Sequence, residues 1–255
     1  MEDSVNIYQS QREFHLFVAN SFFDLKRLKK EGNLKAFNQV LLKTMPEVRR
    51  YVQKNLNRAL VMRKIDRNKY KADDLIDQLF IEVYDHLDEI KNENELHPWM
   101  FKRIDKLLDD ILVEEEFDSI FFDNIETYSK PEWDAMQEEY STDGDGDLVM
   151  TEELDDISYA KNDYVLNQIF IGDDDEKVIL QLDKELGAEN IRKHAEMVLC
   201  HMPMHMRRVY ELFTEHQFEV AEIAKIQNST IKEVETLLEA ARKGLRTSFL
   251  KRYIG

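Results

Sequence analysis

Cysteine, proline and glycine are scarce in this 255-residue chain, and each shortage excludes something. A single cysteine, Cys200, rules out an internal disulfide framework and points to a reducing compartment. Seven glycines and four prolines are few for a sheet-and-turn architecture, while Leu, Ile, Phe and Met are plentiful, which favours helices. No apolar run reaches the length of a membrane span, and the polar, acidic opening MEDSVNIYQSQREF is unlike a signal peptide. The expectation is a soluble, cytoplasmic, all-α protein with no membrane partner. HExxH, a Gly-rich phosphate loop and a convincing catalytic triad are missing too, so an enzyme is not expected.

What is abundant is acid. The net charge of −17 argues at first against nucleic acid, but its distribution matters more than its sum. Residues 1–112 carry 20 Lys+Arg against 19 Asp+Glu, residues 113–186 carry 4 against 24, and residues 187–255 carry 11 against 9. Two nearly neutral ends flank one acidic segment, which predicts two helical domains joined by a long connector.

Helical spacing recurs along the chain. Phe14, Phe17, Val18, Phe22, Leu25 and Leu28 predict a helix over 5–31, stopped by Gly32. The pattern from Leu34 to Leu60 is expected to divide at Pro46. Leu75, Ile76, Leu79, Phe80, Val83, Tyr84 and Leu87 form an amphipathic stripe backed by acids, and Pro98-Trp99 opens the next helix. Near the C-terminus, apolar faces at Met206–Phe213, Val220–Ile226 and Ile231–Leu245 are separated by the polar turn Gln227-Asn228-Ser229. Ser229 or Thr230 can cap the last helix. That order is either a DNA-binding helix-turn-helix or a helical hairpin that merely packs.

Particular residues narrow the choice. Met202-Pro203, Arg207–Leu212, Val220–Ala224 and Ala241–Arg246 resemble the C-terminal promoter-binding domain of bacterial sigma factors, in the two-domain type related to extracytoplasmic-function sigma factors. The stretch ADDLIDQLF resembles the helix by which that family docks on core RNA polymerase, and HPWMFKRIDKLLDDIL resembles the helix that opens and reads the −10 promoter element. The resemblance implies core-polymerase contacts at Asp73, Asp74, Leu75, Asp77, Gln78 and Phe80. It implies DNA contacts at Trp99, Lys102, Arg103, Lys106, Lys232, Glu235, Thr236, Arg242, Lys243 and Arg246. The expected units are an N-terminal helical extension (1–34), a polymerase and −10 domain (35–112), the acidic connector (113–190) and the helix-turn-helix domain (191–255). The connector either lines the polymerase channel, whose basic walls attract carboxylates, or is a solvated linker.

This chain departs from the family on DNA-facing positions. Glu233, Glu235, Leu237 and Glu239 stand where polar and basic residues are usual, and DDILVEEEF follows the −10 helix in place of a basic cluster. Acids can accept from cytosine, yet affinity rests mainly on phosphate neutralisation. The expected function is a sigma-like initiation factor with weak autonomous recognition of the upstream element, brought to promoter DNA by a DNA-bound recruiter protein or ribonucleoprotein. Two alternatives are a sigma-like adaptor or regulator that binds polymerase without initiating, and a helical calcium-responsive interaction protein.

Calcium enters through Ser141–Glu152. In the register of a twelve-residue calcium loop, Gly146 takes the sixth position, while Asp143, Asp145, Asp147 and Glu152 supply ligands. Ser141 and Val149 depart from that pattern, and the alternative is an acidic turn. His194, Cys200, His201 and His205 have metal-compatible side chains but no zinc-site spacing, so packing or surface roles are expected for them.

Overall fold

Pro46 and Gly32 act where the sequence places them. In the computed structural model, which describes residues 2–66, 69–134, 163–171 and 176–254, helix α1 spans Glu2–Lys30. Gly32 follows in the left-handed region (φ 66°), where a side chain would be strained. Asn33 then caps α2 (Leu34–Thr44), its side chain accepting from the Ala36 N–H at 3.1 Å. Pro46 opens α3 (Pro46–Val61), because a residue without an N–H costs nothing in a first turn. Helix α4 covers Ala72–His86, and α5 runs from Leu96 to Asp134. Helix α6 spans Asp163–Ile169, and α7 spans Glu176–Cys200 with a break at Gly187 (φ 61°, ψ 160°). Then come α8 (Met204–Thr214), α9 (Val220–Ile226) and α10 (Ile231–Phe249), which ends in a π-turn over Leu250–Ile254. The fold is all-α, and no helix among the described residues is long and apolar enough to cross a membrane.

Of the expected boundaries, 34 falls at the turn between α1 and α2, 190 lies just after the break at Gly187 in α7, and 112 falls inside a helix. Helix α5 passes residue 112 without interruption, extending roughly 58 Å at the usual rise per residue. Helix α1 is no appendage either: Val18, Phe22 and Leu25 are buried in the same core as Tyr51, Val52, Phe101 and Ile104. That core continues without interruption into Val209, Leu212, Phe218, Leu238 and Phe249 of the C-terminal helices. Periodicity reports which face of a helix is apolar but not which neighbour covers it, so sequence alone cannot distinguish one shared core from two.

Candidate polymerase and nucleic-acid surfaces

Helix α4 turns Leu75, Ile76, Leu79 and Val83 inward. Leu75 is 6 % exposed and belongs to the core, so of the expected polymerase contacts it is the one that a partner cannot reach. Phe80 is half-buried, while Asp73, Asp74, Asp77 and Gln78 are exposed. Asp73 is paired with Arg49 at 2.6 Å. Asp74, Asp77 and Gln78 share their face with Ile81, which is 56 % exposed. Ile81 was not among the expected contacts, although its spacing of seven from Asp74 and three from Gln78 puts it on that stripe. The result is an apolar residue rimmed by carboxylates on an open helix face.

The first turns of α5 are engaged within the molecule. The Arg103 guanidinium lies 5.1 Å from the Trp99 ring centroid and 3.3 Å from Glu82. Lys102 donates to Asn228 Oδ1 at 2.7 Å, across to the helix-turn-helix turn, while Lys106 is exposed. Trp99, Lys102, Lys106, His205 and Asn228 line a cleft between α5 and that turn. Beneath it the Asp105 carboxylate accepts from Tyr51 Oη (2.8 Å) and Gln227 Nε2 (2.7 Å), with Arg208 Nη1 at 3.1 Å. Burial raises the Asp105 pKa, against the opposing pull of Arg208.

The turn between α9 and α10 forms at the polar residues the sequence marks. Asn228 adopts the left-handed conformation (φ 50°), and the Ser229 N–H reaches back to Ala224 O at 3.0 Å, closing α9. Of the two candidate caps, Thr230 is the one used. Its Oγ1 accepts from the Glu233 N–H at 3.2 Å, and Glu233 Oε2 accepts from the Thr230 N–H at 2.8 Å. Glu233 therefore stabilises the start of α10, and those hydrogen bonds hold its carboxyl below the usual range. Thr230→Ala is expected to cost about 1 kcal/mol in urea unfolding, with helicity lost from the first turn of α10 in amide exchange. A cost under a few tenths would remove the cap from the account.

Lys232, Glu235, Thr236, Glu239 and Lys243 are all exposed on α10, mixing charge of both signs. Leu237 is half-buried and packs on the core instead. Arg242 stacks on Phe213 at 5.1 Å, and Arg246 lies exposed with its guanidinium 5.8 Å from the Phe170 ring.

A buried charged layer joins the two halves. Arg208, 1 % exposed, binds Asp109 (2.5 Å) as well as Asp105. Glu211, also 1 % exposed, pairs with Arg58 and sits 3.3 Å from Lys54, which also pairs with Glu215. Burial by itself would raise the Glu211 pKa, but Lys54 and Arg58 outweigh it and hold the carboxyl below its ordinary value.

Of the histidine and cysteine residues weighed in the sequence, His194 is buried, 3.0 Å from Ser248 Oγ and edge-on to Phe249. His201 is exposed and bonds Met197 O at 2.7 Å. Both fit packing or surface roles. The calcium-like loop, with Asp143, Asp145, Asp147 and Glu152, lies outside the described residues. Among the described residues, the grouping of three metal-capable side chains that does form is His15, Glu47 and His97, which no spacing in the sequence announces.

No protein-family model matches this chain, and no curated protein matches it.

Proposed function

We propose that this chain is a sigma-like transcription initiation factor, docking on core RNA polymerase through α4 and offering α5 and the helix-turn-helix to promoter DNA. The observation that carries the reading is the open stripe Asp74, Asp77, Gln78 and Ile81 on α4. It occurs in a chain whose other end carries a capped helix-turn-helix. An apolar centre with a charged rim is the composition of a protein-docking patch. The mixed charge of α10 supports weak independent grip on DNA, since Glu235 and Glu239 oppose the phosphate attraction of Lys232 and Lys243. A DNA-bound recruiter, protein or ribonucleoprotein, then supplies the missing affinity. If the purified holoenzyme bound a two-element promoter tightly in moderate salt, recruitment would be unnecessary and this part of the reading would fall.

Co-purification with core polymerase followed by run-off transcription tests the reading. The triple variant Asp74→Lys, Asp77→Lys, Ile81→Glu is expected to weaken association by at least about tenfold, because it reverses the rim charge and destroys the apolar centre. Its circular dichroism should match that of the unaltered chain. Failure of the unaltered chain to associate at all overturns the proposal.

A second reading has its own observation. Lys102 and Arg103 are both engaged internally, by Asn228 and Glu82, so the face expected to open DNA is tied to the helix-turn-helix turn. That favours an adaptor or regulator that binds polymerase without initiating. Association without transcript is its signature.

A further inference from the structure

Three of the chain's seven histidines converge on one carboxylate oxygen. Nε2 of His15 lies 3.8 Å from Glu47 Oε2, Nε2 of His97 lies 3.5 Å from it, and Nδ1 of His216 lies 4.0 Å from it. The four residues come from four places: α1, the first turn of α3, the first turn of α5, and the loop between α8 and α9. None of the three separations is a hydrogen bond. His15 Nε2, Glu47 Oε2, His97 Nδ1 and Nε2, and His216 Nδ1 are all buried without a hydrogen-bond partner in the protein.

The surroundings make that arrangement costly without an ion. Glu47 is 7 % exposed, His97 4 % and His216 3 %. Phe218 stacks near both His15 (5.4 Å) and His97 (5.1 Å), Phe101 lies 4.8 Å from the His216 ring, and Phe14 lies 5.8 Å from His97. A carboxylate oxygen in an aromatic cage with no donor is a desolvated charge left uncompensated.

We propose that His15, Glu47, His97 and His216 form a tetrahedral site for one zinc-class divalent cation, which fastens the N-terminal helices to the helix-turn-helix half. Ligand atoms bound at about 2.0–2.2 Å from a tetrahedral zinc stand about 3.3–3.5 Å apart; those of His15, Glu47 and His97 already lie within 4.8 Å of one another, and His216, 4.0 Å from Glu47 Oε2 in the loop between α8 and α9, makes the larger movement to become the fourth ligand. Three imidazoles and one carboxylate make a nitrogen-and-oxygen set suited to zinc over calcium or magnesium, and four protein donors leave no open position, the mark of a structural site. The half-exposed edge of His15 gives the ion its route in. This proposal stands whether or not the chain binds polymerase.

The test uses the full chain, stripped with a chelator and dialysed. Zinc titrated by calorimetry should bind at one ion per chain, and cobalt should give the intense visible absorption of tetrahedral coordination. His97→Ala and Glu47→Gln should each weaken zinc binding at least 100-fold, and His216→Ala at least tenfold. The double variant His201→Ala, His205→Ala should bind as the unaltered chain does. Should any of these variants fail to fold, the zinc stoichiometry and the cobalt spectrum of the unaltered chain decide. The proposal is overturned if the folded, unaltered chain takes up no stoichiometric zinc, if its cobalt spectrum is octahedral, or if removing His216 leaves the affinity unchanged.

Discussion

Glu211→Ala is expected to lower the free energy of unfolding by about 3–5 kcal/mol, the usual cost of removing one partner from a buried ion pair. Glu211 is 1 % exposed, and without it the Arg58 guanidinium and the Lys54 ammonium face each other across a desolvated gap. The double variant Glu211→Ala, Arg58→Met should recover part of the loss, because the penalty comes from the stranded charge. Urea unfolding followed by circular dichroism measures all three chains; a loss under about 1 kcal/mol for the single variant would mean that water reaches the site. The same carboxylate shapes the acid response. Its folded pKa lies below its unfolded value, so its contribution is complete above about pH 4.5 and drains away as pH falls through the folded value. Glu211→Gln should flatten that part of the stability profile on the acid side of about pH 4.5.

Phe101→Ala is expected to cost about 3–5 kcal/mol as well, by a different route. Its ring is fully buried, with centroids 5.2 Å from Tyr51, 5.1 Å from His97, 4.8 Å from His216 and 4.8 Å from Phe218. Tyr51 and His97 belong to the N-terminal half, and His216 and Phe218 to the C-terminal half. Truncating Phe101 therefore opens a cavity where the two halves meet. Because the core is continuous, the unaltered chain should unfold in one urea transition, and Phe101→Ala should shift its midpoint or split it into two. The experiment is done with chelator present, so that metal binding does not mask the loss. Two well-separated transitions in the unaltered chain would show that the halves are independent after all.

The helices were legible because their signals are local. Gly32 stops α1, Pro46 divides α2 from α3, and Thr230 with Glu233 starts α10, each acting within a few residues of itself. The open face of α4 was partly legible. Its acids stand out in the sequence, but the exposure of Ile81 and the burial of Leu75 do not, because the apolar stripe and its edge differ only by where the neighbouring helix lies. The ends of α5 and α7 were not legible. Acidic composition suggests a connector, whereas a helix requires only that its backbone bonds form, which acidic side chains do not prevent.

The charged interior was the least visible feature. Arg208 and Glu211 read as ordinary polar members of a helix, yet their partners Asp109 and Arg58 lie 99 and 153 residues away in the chain. His15, Glu47, His97 and His216 share no spacing and meet only where four elements converge. By itself the sequence determined that the chain is helical, and it determined the order and most of the ends of its helices. These follow from periodicity, capping and backbone restriction over a turn or two. Only the tertiary structure decided that the two halves share one core, that ion pairs lie at their junction and that three imidazoles surround one carboxylate. Burial depends on the neighbour that removes water from a side chain, and in each of these cases that neighbour is distant in sequence.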